Sequence, residues 1–284
     1  MNRTTVVVAT RNRAGELART LSELSTMDPK PPVIVLDNGS ADDTAKVAAS
    51  FEQVRVIRSP HNHGAAARNQ GVIAAQTPYV AFSDDDSWWA SDALRRAENL
   101  FDAHPRLGLL TGRTLVGPHQ REDPITPALA HSPLGTPPDA PGPLVLGFLA
   151  CSAIVRRSAF LQVGGFSPML HFGAEEQLLS YDLAAAGWQL CYAEDVVAHH
   201  HPSSARPSPG WRQRAEARNQ LLISWQRRPA DVCATQLRRL LTHARRNPGL
   251  LAALAAAAVR LPRALAHRRV LPAAIERQAR LTEG

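Results

Sequence analysis

Short apolar runs alternate with helix-spaced leucines through the first ninety residues. Val6-Val7-Val8-Ala9 gives way to polar residues and then to Leu17, Leu21 and Leu24, a pattern that predicts a strand followed by a helix. The unit recurs. Val33-Ile34-Val35-Leu36 ends at the turn Asp37-Asn38-Gly39-Ser40, which leads into a helix capped by Ser40 or Asp42. Val54 to Ile57 predicts a third strand and Ala65 to Ala75 a third helix; Tyr79 to Phe82 predicts a fourth strand that stops at Ser83-Asp84-Asp85-Asp86. Alternation at this spacing predicts an α/β fold with a mostly parallel central sheet and helices on both faces. Ligands of such sheets collect beyond the carboxyl ends of the strands, which singles out Thr10 to Arg13, Asp37 and Asp84 to Asp86.

The pattern then changes. Residues 118 to 143 hold 8 of the 22 prolines and little periodicity, which predicts a long irregular loop bordering an acceptor site. A strand at Ser152 to Val155, a turn at Gly164-Gly165-Phe166, a helix from Glu175 to Ala186 and an apolar stretch from Trp188 to Ala198 complete the body. From Trp211 onward Leu, Ile, Ala and Arg recur at helical periods, and Pro229, Pro248, Pro262 and Pro272 are expected to break that region into short helices.

Composition adds a division. The 284 residues are 44% hydrophobic and 20% charged, which excludes a disordered or fibrous chain. The net charge of +7 splits into −5 over residues 1 to 204 and +12 over residues 205 to 284. An acidic body with a basic tail argues against a nucleic-acid-binding module; the tail reads either as a helical cap on the core or as a basic amphipathic surface for an anionic membrane. No apolar run reaches the roughly 18 to 20 residues of an uninterrupted membrane span, the longest being Gly249 to Val259. No cleavable leader is expected at the N-terminus, and Cys151, Cys191 and Cys233 lack disulfide or zinc spacing, so a reducing cytoplasm fits best.

Three adjacent carboxylates at a strand end repel one another unless a cation is bound. A Mg²⁺ or Mn²⁺ held there by one or two of them can share its remaining positions with a diphosphate. Val6 to Arg13 with Leu17 and Leu21 is followed by Asp37 to Ser40 with Asp42 and Thr44, then by Asn62-His63-Gly64 and Arg68-Asn69-Gln70-Gly71. Phe82 to Asp86, Ser152 to Arg157, Gly164 to Phe166, Glu175-Glu176, Gly187 and His200 complete the series. In order and spacing, this set over residues 4 to 204 resembles family 2 glycosyltransferases of the GT-A fold.

The resemblance implies a GT-A-like domain over 1–204, with a nucleotide-sugar half of about 1–115 and an acceptor half of about 116–204, followed by a basic helical region at 205–284. It implies a metal-dependent, inverting transfer of one sugar from a nucleotide diphosphate donor to an acceptor hydroxyl on a glycan, a lipid-linked or a small-molecule acceptor. Thr10, Arg11, Arg13, Asp37, Arg68, Asp84 and Asp85 would hold the donor, with Asp37 reading the base and Asp84 or Asp85 the ribose. Asp86 and His200 would bind the Mn²⁺ or Mg²⁺. Glu176, or its neighbour Glu175, would be the catalytic base, and Trp88 and Trp89 would either stack on a sugar or close the core. Two positions depart from the family pattern: Ala174 stands where Gly is common and Leu178 where Asp is common. A QxxRW motif is missing, which points to a non-processive enzyme at the cytoplasmic side, with peripheral membrane contact as one use of the tail. The alternatives are a catalytically degenerate sugar-nucleotide-binding protein, a nucleotidyltransferase, for which Thr10 to Arg13 lacks a Gly-rich phosphate loop, and a glycosidase, which would not need the aspartates.

Overall fold

The structure, a computed structural model, describes residues 3–203 and 209–283. Strands β1 (Thr4–Thr10), β2 (Val33–Asn38), β3 (Val54–Ser59) and β4 (Tyr79–Asp84) form a parallel set in the order β3-β2-β1-β4. Side chains alternate between the two faces of a strand, and here both faces are apolar. Val6, Val8, Val33 and Val35 belong to one core layer, while Val7, Ile34, Leu36 and Phe82 belong to the other.

Beyond β4 the sheet becomes mixed. Strands β5 (Ser87–Trp89), β6 (Leu107–Val116), β8 (Ala153–Arg156) and β9 (Gln189–His200) extend the order to β3-β2-β1-β4-β8-β6-β9-β5, with the short β7 (Arg121–Glu122) beside β6. β8 runs antiparallel to both β4 and β6, and β9 runs parallel to β6. Two reversals restore direction, so the carboxyl ends of β1, β2, β4, β6 and β9 share one edge.

Helices α1 (Ala14–Ser25), α2 (Thr44–Ala49) and α4 (Ala93–Ala103) cover one face of the sheet. α1 has no side-chain cap yet buries Leu17, Leu21 and Leu24 completely. Burial at about 1.5–3 kcal/mol per side chain outweighs a cap of about 1 kcal/mol. α3 (Ala67–Ala74), α6 (Arg157–Val163) and α7 (Glu175–Ala185) cover the other face.

The proline-rich stretch contains β7 and the one-turn α5 (Thr126–Ala130), and it starts at the carboxyl ends of β6 and β9, where the Gly117 amide donates to the His200 carbonyl at 2.9 Å. Its middle runs to the opposite end of the sheet. There Asp139 accepts hydrogen bonds from Arg106 at 3.0 Å and from Gln189 at 3.0 Å, and Leu144 bridges to Cys191.

The C-terminal region is α8 (Pro209–Arg227), α9 (Ala230–Ala244), α10 (Gly249–Ala266) and α11 (Ala273–Thr282). Breaks fall at Pro229, Pro248 and Pro272, but Pro262 lies inside α10. Ala258, whose carbonyl loses its partner to that proline, is on the exposed side of the helix, where water can replace the bond. These helices are integral to the core: Leu222, Ala257, Ala264 and Ala279 are buried in the same layer as Val7 and Phe82. α10, with Arg260 and Arg263 within it, is long and apolar enough to cross a membrane by length and composition. The boundary expected at residues 204 and 205 lies outside the described residues. Arg228, 3% exposed, pairs with Glu276 at 2.7 Å and with Glu283, and donates to the Tyr181 hydroxyl at 3.2 Å, tying α11 to α8 and α7.

Candidate active site

The aspartates after β4 have three different sets of partners. Asp84 pairs with the guanidinium of Arg68, a buried side chain from the first turn of α3. Asp85 accepts from the Thr10 hydroxyl at the end of β1, 2.9 Å away, while its carbonyl accepts from Thr20 of α1. Burial, and then the charge of Asp84, push the Asp85 carboxyl up to about 7. Asp86 reaches across to the end of β9, with Oδ1 3.4 Å from His200 Nε2 and Oδ2 accepting from the Ser203 amide at 3.1 Å.

Strand alternation separates the three histidines. His199 and His201 face Trp88, with ring centroids 5.8 Å and 4.6 Å away, whereas His200 points to Asp86. Trp88 and Trp89 are 9% and 2% exposed and close the core layer beneath α1. Of the two readings open for them, closing the core is the one their burial supports.

A divalent ion fits this geometry. Asp86 and His200 set a carboxylate and an imidazole 3.4 Å apart at the carboxyl ends of β4 and β9. A Mg²⁺ or Mn²⁺ is commonly held by one or two protein ligands with substrate phosphates filling the remaining positions. Among the described residues no cluster of three or more His, Cys, Asp or Glu forms a cage.

At the end of β2, Asp37 is 1% exposed. Its Oδ1 accepts from the Ser40 amide at 3.0 Å, closing the turn, and its Oδ2 meets Arg58 Nε at 3.2 Å. Arg58 is two-thirds exposed and can swing away. Arg11 lies at the surface near Gly39, and Arg13 pairs with Glu16 at 3.0 Å and with Ser203.

Glu175 and Glu176 open α7. Glu175 is 6% exposed and its Oε2 has no hydrogen-bond partner among the described residues. Burial, then the charge of Glu175, push Glu176 up to about 8; burial also raises Glu175. Arg68 lies within electrostatic reach of Asp84, Glu175 and Glu176 together. One buried guanidinium thus connects the aspartates of the sheet to the acids of the helix. Its position is fixed by Asn69 beside it, whose side chain donates to the Phe166 carbonyl at 2.8 Å and accepts from the Phe166 amide at 2.9 Å.

Residue Leu178, in place of an acid, is buried in the core and takes no part in the site. Ala174, in place of glycine, holds φ +62°, a left-handed conformation at the helix start that explains why glycine suits the position. It ends a loop clamped on both sides. On one, the Ala65 amide donates to the His171 carbonyl at 2.8 Å, and any Cβ on Gly64 would strike that oxygen. On the other, Asn219 of α8 donates to the carbonyls of Leu170 at 3.0 Å, Phe172 at 2.9 Å and Gly173, while Arg218 donates to Leu170 at 2.7 Å. The Asn219 clamp is a feature that the pattern of residues along the chain does not show. Beside the clamp, Phe172 and Trp211, 36% and 39% exposed, pack with centroids 5.4 Å apart, offering aromatic surface where Trp88 and Trp89 do not.

Comparison with known proteins decides the family. The family model for glycosyl transferase family 2 matches residues 5–164. The chain belongs to that family. It is 33% identical over 211 residues to the pre-mycofactocin glycosyltransferase of Mycobacterium tuberculosis, covering 71% of this chain and 43% of that relative. The chain therefore spans about two fifths of that relative's length. It is also 27% identical over 235 residues to the N-acetylglucosaminyl-diphospho-decaprenol L-rhamnosyltransferase of the same organism, covering 69% of this chain and 75% of the relative. Among solved structures, the mannosyltransferase PcManGT from Pyrobaculum calidifontis, in complex with GDP-Man and Mn²⁺, superposes with a TM-score of 0.61 at 21% identity, over 99% of this chain and 81% of its own. S. aureus TarS 1-349 in complex with UDP-GlcNAc gives 0.60 at 19% identity, over 78% and 66%. The fold of this family 2 member is that of the GT-A glycosyltransferases, with its C-terminal helices included in the likeness to PcManGT.

Proposed function

We propose that the protein is a metal-dependent, inverting, non-processive glycosyltransferase that moves one sugar from a nucleotide diphosphate donor to an acceptor hydroxyl. The observation that carries this reading is Arg68, buried between Asp84 on one side and Glu175 and Glu176 on the other. A donor diphosphate laid beside this cation would have its anomeric carbon facing α7.

In this reading Asp37 accepts from the nucleotide base after Arg58 moves aside, and Thr10, Arg11 and Arg13 line the donor's edge of the site. Asp84 and Asp85 hold the ribose. Asp86 and His200 would hold the Mn²⁺ or Mg²⁺, which when bound neutralises charge on the departing diphosphate. Glu176 accepts the proton of the acceptor hydroxyl as its oxygen bonds to the anomeric carbon on the face opposite the leaving group. The bond to the diphosphate breaks, the nucleoside diphosphate departs with the electron pair, and the configuration inverts. Arg68 stabilises the charge that develops. Phe172 and Trp211 offer the acceptor a stacking surface. The acceptor-facing half extends to the clamp on α8, past the boundary at residue 204. The enzyme works in the cytoplasm, and its basic C-terminal helices give peripheral contact with the membrane.

A thermal-shift screen of UDP-, GDP- and dTDP-sugars, each with and without Mn²⁺, tests the donor site, because a ligand that binds only the folded state raises its stability. A Mn²⁺-dependent rise with one nucleotide class is expected, lost in Asp86→Asn. A flat response to every nucleotide sugar overturns the reading. Retention of turnover in Glu176→Gln would overturn the assignment of the base.

A further inference from the structure

Among the described residues, one side of α10 is used by the fold and the other is not. Leu250, Ala253, Ala257 and Ala264 are buried on the side toward the core. The opposite side repeats apolar residues at helical spacing and exposes them: Leu251 at 52%, Val259 at 81% and Leu265 at 49%, with Ala255 and Pro262 between them. Val270, just past the helix, and Leu241 of α9 are also exposed, at 49% and 43%.

Residues 232 to 275, which carry this stripe, contain eight arginines and no carboxylate. Six of them, Arg238, Arg239, Arg245, Arg246, Arg263 and Arg269, are exposed, and none forms an ion pair among the described residues. A shallow groove of about 270 Å³ on α9 is lined by Thr235, Arg238, Arg239, Thr242 and His243, a donor-rich surface suited to phosphate oxygens.

From this we infer that the α9–α10 face docks flat on an anionic lipid bilayer, with the α10 stripe among the acyl chains and the arginines at the phosphate level. Two features select this occupant. A basic surface for a nucleic acid has no use for an apolar stripe through its middle, whereas an interfacial helix needs both. A second copy of this chain would bring six unpaired arginines against six others. α10 lies along the membrane and does not cross it, because its inner side is committed to the core and Arg260 and Arg263 interrupt it. The inference adds a defined surface to the peripheral contact proposed above and does not depend on the transfer chemistry.

Co-sedimentation of the full chain with phosphatidylcholine vesicles containing about one third phosphatidylglycerol tests it, with pure phosphatidylcholine vesicles as reference. Binding is expected with the anionic vesicles alone, weakening as salt is raised. The double variant Val259→Asp and Leu265→Asp should bind at least about tenfold more weakly, since it sets charges into the acyl region. Ile73→Asp, an exposed apolar position at 62% on α3, should bind as the parent does. Failure to bind anionic vesicles overturns the inference. So does binding that the double variant leaves intact, a dimer in light scattering that the double variant dissolves, or RNA binding as tight as vesicle binding at the same salt. Nucleotide-sugar thermal shifts are read without vesicles, so failure of docking and failure of the donor site are separate results.

Discussion

The carboxylates at the ends of β2 and β4 and those at the start of α7 differ in how they are partnered, although burial and a neighbouring acid raise Asp85 as they raise Glu176. Asp37 and Asp84 each have an arginine in place, and Asp85 has the Thr10 hydroxyl. Glu175, buried, and Glu176, partly buried, stand beside each other, offset by backbone hydrogen bonds at the helix start and by the shared field of Arg68. The sheet side is organised before any ligand arrives, which suits binding. The helix side keeps a carboxylate basic enough to accept a proton from a hydroxyl, and the fold loses stability to keep it there.

The largest break in this contrast is Glu176→Gln. It keeps the shape and removes the base, and kcat should fall by about 10²–10⁴ with donor binding nearly unchanged. Initial rates alongside donor titration separate the two effects.

Next comes Asn219, which reaches the base through the loop it holds. Asn219→Ala takes the donor from the Phe172 and Gly173 carbonyls, while Leu170 keeps Arg218, and Asn219→Asp faces all three with an acceptor. At about 1–3 kcal/mol for each unsatisfied buried group, both should lower the melting temperature and reduce kcat about tenfold or more, the aspartate variant more severely. The donor-induced thermal shift should persist in both, because the sheet side does not use Asn219.

Sensitivity to pH sharpens the contrast. With Glu176 at about 8 in the fold against an ordinary 4.5, the native state keeps a proton that the unfolded chain releases between those values. Stability contributed by the protonated acid is therefore full below 4.5 and declines as pH rises to about 8. Glu176→Gln should flatten that decline in melting scans. In catalysis the sign reverses: kcat/KM should rise with pH through about 8 as the base ionises. Glu175→Gln, which removes a like charge, should move that midpoint down.

Smaller effects belong to single contacts. Arg58→Gln takes an exposed partner from Asp37 and should change donor affinity less than about fivefold, as surface ion pairs are worth up to about 1 kcal/mol. Ala174→Gly relaxes a φ of +62° and should stabilise the fold by about 1 kcal/mol, measured by chemical denaturation.

Much of this was legible in sequence wherever a local signal existed. The first four strands announced themselves as apolar runs, each ending in the residues that build the site. Arg68 and the two glutamates stood in recognisable order. Trp88 and Trp89 stayed open between sugar contact and core because sequence adjacency to the aspartates does not say whether either face of β5 is left uncovered. Pro262 misled because the carbonyl it orphans, that of Ala258, lies on the exposed side of α10, where water can take up the lost bond. The middle strand β6 carries an apolar signal at Leu107 to Leu110 but follows no repeat of the βα pattern. The Asn219 clamp was beyond local reading, since it joins positions 46 to 49 residues apart through backbone carbonyls that have no sequence signature.

That clamp also sets an order in time. A chain leaving the ribosome completes every carboxylate of the site by residue 176, yet the loop carrying the base receives its last hydrogen bonds from residue 219. Until α8 has emerged, the loop from Leu170 to Gly173 lacks the hydrogen bonds that Asn219 gives it, and the core layer under the sheet lacks Leu222 and the residues of α10 and α11 that complete it.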